Sequence, residues 1–141
     1  MAIWKKNTSL ARLNASSQNT LIAHLGIKYT EVGDDYIKAT MPVDSRTHQP
    51  YGLLHGGASV VLSETLGSIA ANLCVKENKV SVGLEVNANH IRGEKKGFVT
   101  GTAKPVHIGK TTQIWVTEIR NSRNKLVCTS RLTLAVLDKP T

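Results

Sequence analysis

Glu64 is a carboxylate set in the apolar run ASVVLSETLGSIAANLCV (58–75), which contains no proline and no other charge. An unpaired charge is expensive to bury there. Either that helix face reaches solvent, a buried cation partners it, or the carboxylate works as nucleophile or general base. Ser68 stands four residues on, so on a helix its hydroxyl shares the face of Glu64 and can bond a carboxylate, a water, a substrate or its own backbone. His55-Gly56-Gly57 directly precedes the run. A helix entry presents unpaired N–H groups and the positive end of the dipole. The N–H groups of Gly56 and Gly57 could therefore polarise a substrate carbonyl and hold an oxyanion, or simply serve as an entry turn.

Spacing adds a constraint. Gly56 and Glu64 are eight residues apart, about 12 Å along one helix axis, too far for one carbonyl to touch both. If both act on one substrate, they come from different subunits of a symmetric dimer. Gln49 could orient water or substrate, or be a solvated loop side chain. His90 and Arg92 fit a phosphate or carbonyl contact near a strand end, or an exposed pair. Lys110, after His107-Ile108-Gly109, is a phosphate contact or an ordinary turn lysine.

The elements that must carry these residues follow from pattern. Residues 8–24 suggest one or two short helices, with caps among Thr8, Ser9 and Ser16. Residues 25–43 alternate polar and apolar around Gly33-Asp34-Asp35, the mark of a β-hairpin. Residues 44–57, with Pro50 and three glycines, read as a loop. The run 58–75 predicts a long helix buried on most faces. Strands follow at 79–92, 97–107, 112–121 and 125–137. This order predicts an α+β fold in one domain, 1–141, with an antiparallel sheet wrapped around one central helix.

Composition limits the function. The chain has 141 residues, 40% of them hydrophobic and 20% charged, as expected of one globular core. The net charge of +8 calls for an anionic partner. Its basic residues are dispersed and only 4% of residues are aromatic, which favours a small polyanion over nucleic acid. A membrane-spanning reading of 58–75 is opposed by Ser59, Ser63, Glu64, Ser68 and Asn72. MAIWKKNTSL lacks the apolar middle of a secretory signal, so a cytoplasmic protein is expected. Cys74 and Cys128 lie in apolar segments and read as buried reduced thiols, not metal ligands.

The segments HQPYG, GLLHGGASVVLSETLGSIAA and VGLEVNANHIR resemble the hotdog-fold acyl-CoA thioesterases. The likeness runs from about Trp4 to Leu137. It is greatest to the 4-hydroxybenzoyl-CoA and phenylacetate-pathway branch, and within it to the bacterial 1,4-dihydroxy-2-naphthoyl-CoA hydrolases of menaquinone synthesis. The resemblance implies that Glu64 is nucleophile or general base and that Gly56 donates its N–H to the thioester carbonyl. It gives Gln49, His55 and Ser68 supporting places in the catalytic set. It also implies that Gly83, His90, Ile91, Arg92 and Gly93, with the turn His107, Ile108, Gly109, Lys110, Thr111 and Thr112, face substrate and CoA. Gly93 stands where close relatives often carry proline. The implied assembly is a homotetramer of two dimers with sites at the dimer interface.

The resulting expectation is hydrolysis of an aromatic acyl-CoA to free acid and CoA, with no cofactor, metal, nucleic acid or membrane. Benzoyl-type or enterobactin-pathway thioesters are the alternative substrates. A hotdog dehydratase using His55 and Glu64, or an acyl-CoA-binding protein without turnover, are the rival classes.

Overall fold

The computed structural model describes residues 1–141. Two short helices open the chain, α1 (Leu10–Ser16) and α2 (Leu21–His24), each started by a side chain that accepts a backbone N–H: Ser9 from Arg12, and Thr20 from Ile22. The second cap is therefore Thr20 rather than Ser16. The hairpin is β1 (Lys28–Val32) and β2 (Ile37–Val43). In β2 the alternation predicted from sequence becomes alternating burial, with Ile37, Ala39, Met41 and Val43 turned inward.

The long helix α3 spans Gly56–Leu73, two residues earlier than its apolar run suggests. The reason is His55, whose imidazole accepts the N–H of Gly57 and so draws both glycines into the first turn. At the other end the backbone N–H groups of Lys5 and Lys6 bond the carbonyl of Leu73, at 2.7 and 3.2 Å. The last four strands are β3 (Lys79–His90), β4 (Gly97–Ile108), β5 (Thr112–Asn121) and β6 (Leu126–Asp138).

All six strands form one antiparallel sheet in the order β1-β2-β4-β5-β6-β3. The late strands are not one continuous meander: β3 skips its sequence neighbour β4 and pairs with β6. That leaves β3 as a sheet edge twelve residues long, most of it exposed. α3 lies across the sheet with Leu62, Leu66 and Ala70 against Ile37, Met41, Val99, Trp115 and Leu132. Each fully buried leucine of this set contributes about 1.5–3 kcal/mol. Contact is close because Gly67 has no side chain; a Cβ there would stand 2.7 Å from Leu132 Cδ2.

The expectation that α3 is buried on most faces does not hold for the single chain. Its sheet-facing residues are buried, but Val61, Thr65, Ser68, Ile69 and Asn72 are half-buried and Glu64 is exposed. No helix is long and apolar enough to cross a membrane. Cys74 and Cys128 are free and buried, and burial pushes the Cys74 thiol up to about 11 and that of Cys128 in the same direction. Neither is a ready nucleophile at neutral pH.

Candidate active site

Two stations on α3 hold the residues expected to carry the chemistry. The first is the helix entry. Gly57 donates its N–H to His55 Nδ1 at 2.8 Å, and Ala58 and Ser59 donate theirs to the carbonyl of His55 at 3.0 and 3.3 Å. Gly56 alone in this turn keeps an N–H without an acceptor in the chain. The sequence offered both glycines as oxyanion donors, and the fold leaves only Gly56. The same bond makes His55 Nδ1 the acceptor, so a neutral His55 carries its proton on Nε2.

Around Gly56 a cavity of about 310 Å³ brings together Gln49, Leu54, His90, Ile91, Arg92 and Gly93. His90 is the nearest: a Cβ on Gly56 would stand 2.9 Å from its Nε2. Gln49 Oε1 accepts the N–H of Tyr51, which leaves the NH2 group as the free end of its carboxamide.

The second station is Glu64 with Ser68, one turn apart in a separate cavity of about 450 Å³ whose apolar wall is Ile22, Tyr29 and Ile69. No cation pairs with Glu64 in any ion pair of the chain. Its Oε2 lies against the backbone of β3, 2.9 Å from where a Cβ on Gly83 would be, so the expected substrate-facing Gly83 is the residue that gives this carboxylate room.

Asn72, one further turn along the same face, was not singled out by sequence. Its carboxamide donates to the carbonyls of Ser68 (2.9 Å) and Ser81 (3.0 Å) and accepts the N–H of Ser81 (2.8 Å). It ties the end of α3 to β3 and closes the strand's outer rim at Ser81. Its four-residue spacing from Ser68 was visible, but its partner on another element was not.

The five expected catalytic residues thus fall into two groups, Gln49, His55 and Gly56 at one end, Glu64 and Ser68 at the other. The expected CoA-facing residues also separate. His90 pairs with Cys128 of β6, whereas Thr112 pairs with Ala135, about 23 Å away along that strand. His90, Ile91, Arg92 and Gly93 sit at the helix entry. Ile108, Gly109 and Lys110, in the turn His107–Thr112, line a third cavity of about 500 Å³ at the far end of α3, with Lys5, Lys76 and Lys79. No group of His, Cys, Asp and Glu residues is arranged to hold a metal ion.

A sequence family described as the thioesterase superfamily matches residues 51–128, the stretch that contains both stations of α3 and most of β3 to β6. The chain belongs to the thioesterase superfamily. This thioesterase is 50% identical over 135 residues to a 1,4-dihydroxy-2-naphthoyl-CoA hydrolase of Escherichia coli, covering 96% of this chain and 99% of that one. It is equally 50% identical to a proofreading thioesterase of Cronobacter turicensis, covering 96% and 98%. The crystal structure of a thioesterase from Haemophilus influenzae superposes with a TM-score of 0.95 at 51% identity, covering 96% and 95%. The thioesterase is accordingly a thioester hydrolase of the hotdog fold, and the sheet wrapped on one long helix is the fold expected from sequence.

Proposed function

We propose that the protein hydrolyses an aromatic acyl-CoA to the free acid and CoA, at sites shared by two chains joined along β3. The observation that carries this reading is the split of the site: the free N–H of Gly56 and the carboxylate of Glu64 open on different cavities of one chain. Both stations adjoin the unpaired edge of β3, Gly56 beside His90 and Glu64 beside Gly83.

Asn72 closes that edge at Ser81, so the stretch free to pair runs from Gly83 to His90. With the register shift between Gly83 and Glu85, its middle falls near Asn87. An antiparallel pair of β3 strands about a two-fold at Asn87 continues the sheet. It sets His90 opposite the partner's Gly83, and Gly56 therefore level with the partner's Glu64. There the Gly56 N–H polarises the thioester carbonyl while the partner's Glu64 either takes a proton from the water that attacks it, and passes that proton to the leaving thiolate, or attacks it directly to form a mixed anhydride that water then hydrolyses. The C–S bond breaks and leaves CoA thiol and acid.

In that arrangement the Lys79 end of one strand lies beside the partner's Arg92, which joins the two separated halves of the CoA-facing set. Lys5, Lys76 and Lys110 have no carboxylate partner, whereas Lys79 pairs with Asp138 at 2.6 Å. Such a concentration of ammonium groups suits the phosphates of CoA. The apolar wall of Ile22, Tyr29 and Ile69 suits an aryl group beside Glu64. Buried free thiols suit a cytoplasmic protein. The assembly is then a dimer, or two such dimers in a homotetramer.

An antiparallel strand pair brings facing Cα atoms to about 4.5–5.5 Å, within disulfide reach. Asn87→Cys is therefore expected to give a disulfide-linked dimer on mild oxidation, while Thr30→Cys, on the exposed opposite edge, is not. Failure of Asn87→Cys to cross-link more than Thr30→Cys would remove this register.

The acyl group is 1,4-dihydroxy-2-naphthoyl in the first reading, after the Escherichia coli relative, and a proofreading substrate in the second, supported by equal identity to the Cronobacter protein. Thiol release from a panel of aromatic and aliphatic acyl-CoAs, compared by kcat/KM, separates them. The first reading expects the naphthoyl thioester to lead the panel. A flat profile across aryl thioesters would support proofreading, and preference for aliphatic chains would end both.

A further inference from the structure

Between Asn89 and Phe98 every residue is exposed except Glu94, which is half-buried. It is held at two points. Its Oε1 accepts from Asn121 Nδ2 at 2.6 Å, and its carbonyl accepts the N–H of Leu54 at 2.8 Å. Asn121, at the end of β5 and only 8% exposed, has little freedom of its own. Its Oδ1 receives the N–H groups of Arg123 (3.0 Å) and Lys125 (2.9 Å), which close the turn into β6. With the oxygen committed to two donors, the NH2 must face Glu94.

Leu54 is two residues before Gly56. Next to it His55 donates its N–H to Thr47 at 2.7 Å, and His48 Nε2 bonds the carbonyl of Lys95 at 2.8 Å. The loop that leads into α3 is thus tied to the backbone of Glu94 and Lys95; one side-chain bond anchors that stretch to the β5–β6 turn, while the N–H groups of Ile91 and Arg92 just before it bond the carbonyl of Val127 at 2.8 and 3.2 Å. The same strap carries Arg92 past the helix entry.

We infer that Glu94 and Asn121 are positioning residues for the thioester reaction: with Ile91 and Arg92 already tied to Val127, their bond sets the Glu94–Lys96 end of the strap across the entry to α3, and so fixes the Gly56 N–H relative to His90 and Arg92. This rests on the reading of Gly56 as donor to the carbonyl. A simple turn staple would lower stability when cut; a positioning bond lowers kcat, because an amide displaced by a fraction of an ångström stabilises the oxyanion less.

The test uses the full chain and a CoA thioester it turns over. Glu94→Ala removes the acceptor. Asn121→Asp keeps oxygens for the two turn amides but sets a second carboxylate against Glu94. Each is expected to lower kcat about 10- to 100-fold with KM within about threefold. The double variant Glu94→Gln/Asn121→Asp reverses the bond, a carboxamide now donating to a carboxylate, and is expected to recover most of the kcat lost by Asn121→Asp alone.

Hydrogen exchange of the Leu54 amide, which bonds the carbonyl of Glu94, should quicken in the single variants and slow again in the double one. That readout needs no turnover. Single variants with the kcat of the parent overturn the inference whatever the exchange shows, as does a double variant that regains slow exchange without regaining kcat. Full activity in Gly56→Pro would instead sink the reading of Gly56 itself.

Discussion

Glu64→Gln is expected to lower kcat about 10³-fold, the scale of losing a positioned base, while leaving the fold and CoA-thioester affinity close to those of the parent protein. The structure explains why the two effects should separate. Glu64 is exposed on the single chain, pairs with no cation and supports no hydrogen bond within it. Removing its charge therefore costs the fold nothing that can be identified. The side chain keeps its length, so Gly83 and Ser68 keep their neighbour. What is lost is the anion proposed to attack the carbonyl or to take a proton from water. The measurement is kcat with Kd for a slowly hydrolysed thioester, beside the thermal midpoint. A variant that turns over like the parent would remove Glu64 from the chemical step. Equal loss of kcat and thermal midpoint would make its role structural.

Most of the fold was legible because periodicity is local. The alternation of Ile37, Ala39, Met41 and Val43 and the largely apolar, proline-free run of α3 are written in adjacent residues, and each became an element within a few residues of its expected limits. Strand order is not local. Nothing within 79–92 says that this segment skips β4 to pair with β6, and that choice makes it the free edge on which the proposed site is built.

The site divides the same way. Glu64 and the His55-Gly56-Gly57 entry were conspicuous, a charge in an apolar run and two glycines before a helix. The difference between the glycines was hidden, because it depends on where the His55 ring points. Glu94 and Asn121 gave no signal, since an acid in a basic turn and an asparagine at a strand end are ordinary until their contact across 27 residues is seen. The residues expected to face CoA look like one set because a resemblance joins them, yet one chain holds them at opposite ends of the sheet. The eight-residue spacing of Gly56 and Glu64 points to a second chain, but nothing in the sequence says which edge of the sheet that chain would join.

The proposed two-fold pairing along β3 has a direct functional consequence: two inactive variants, Glu64→Gln and Gly56→Pro, should regain activity when their chains are mixed and reassembled. Within one chain the two groups are about 12 Å apart along α3 and open on separate cavities. If they meet only across β3, a mixed dimer contains one site with both defects and one with neither. Proline deletes the single uncommitted N–H of the first turn, at a position where a helix tolerates it, although its ring must push the His90 imidazole aside. An equal mixture that reassembles at random is half mixed dimers, so about a quarter of all sites are intact and about a quarter of parental activity should return. Each variant refolded alone controls for damage, and mass spectrometry counts the mixed dimers. Activity that rises in proportion to mixed dimers, with the KM of the parent, is the expected result. Mixed dimers of two folded variants that stay as inactive as either one would mean that each site is built from a single chain, and that Gly56 and Glu64 never share a substrate.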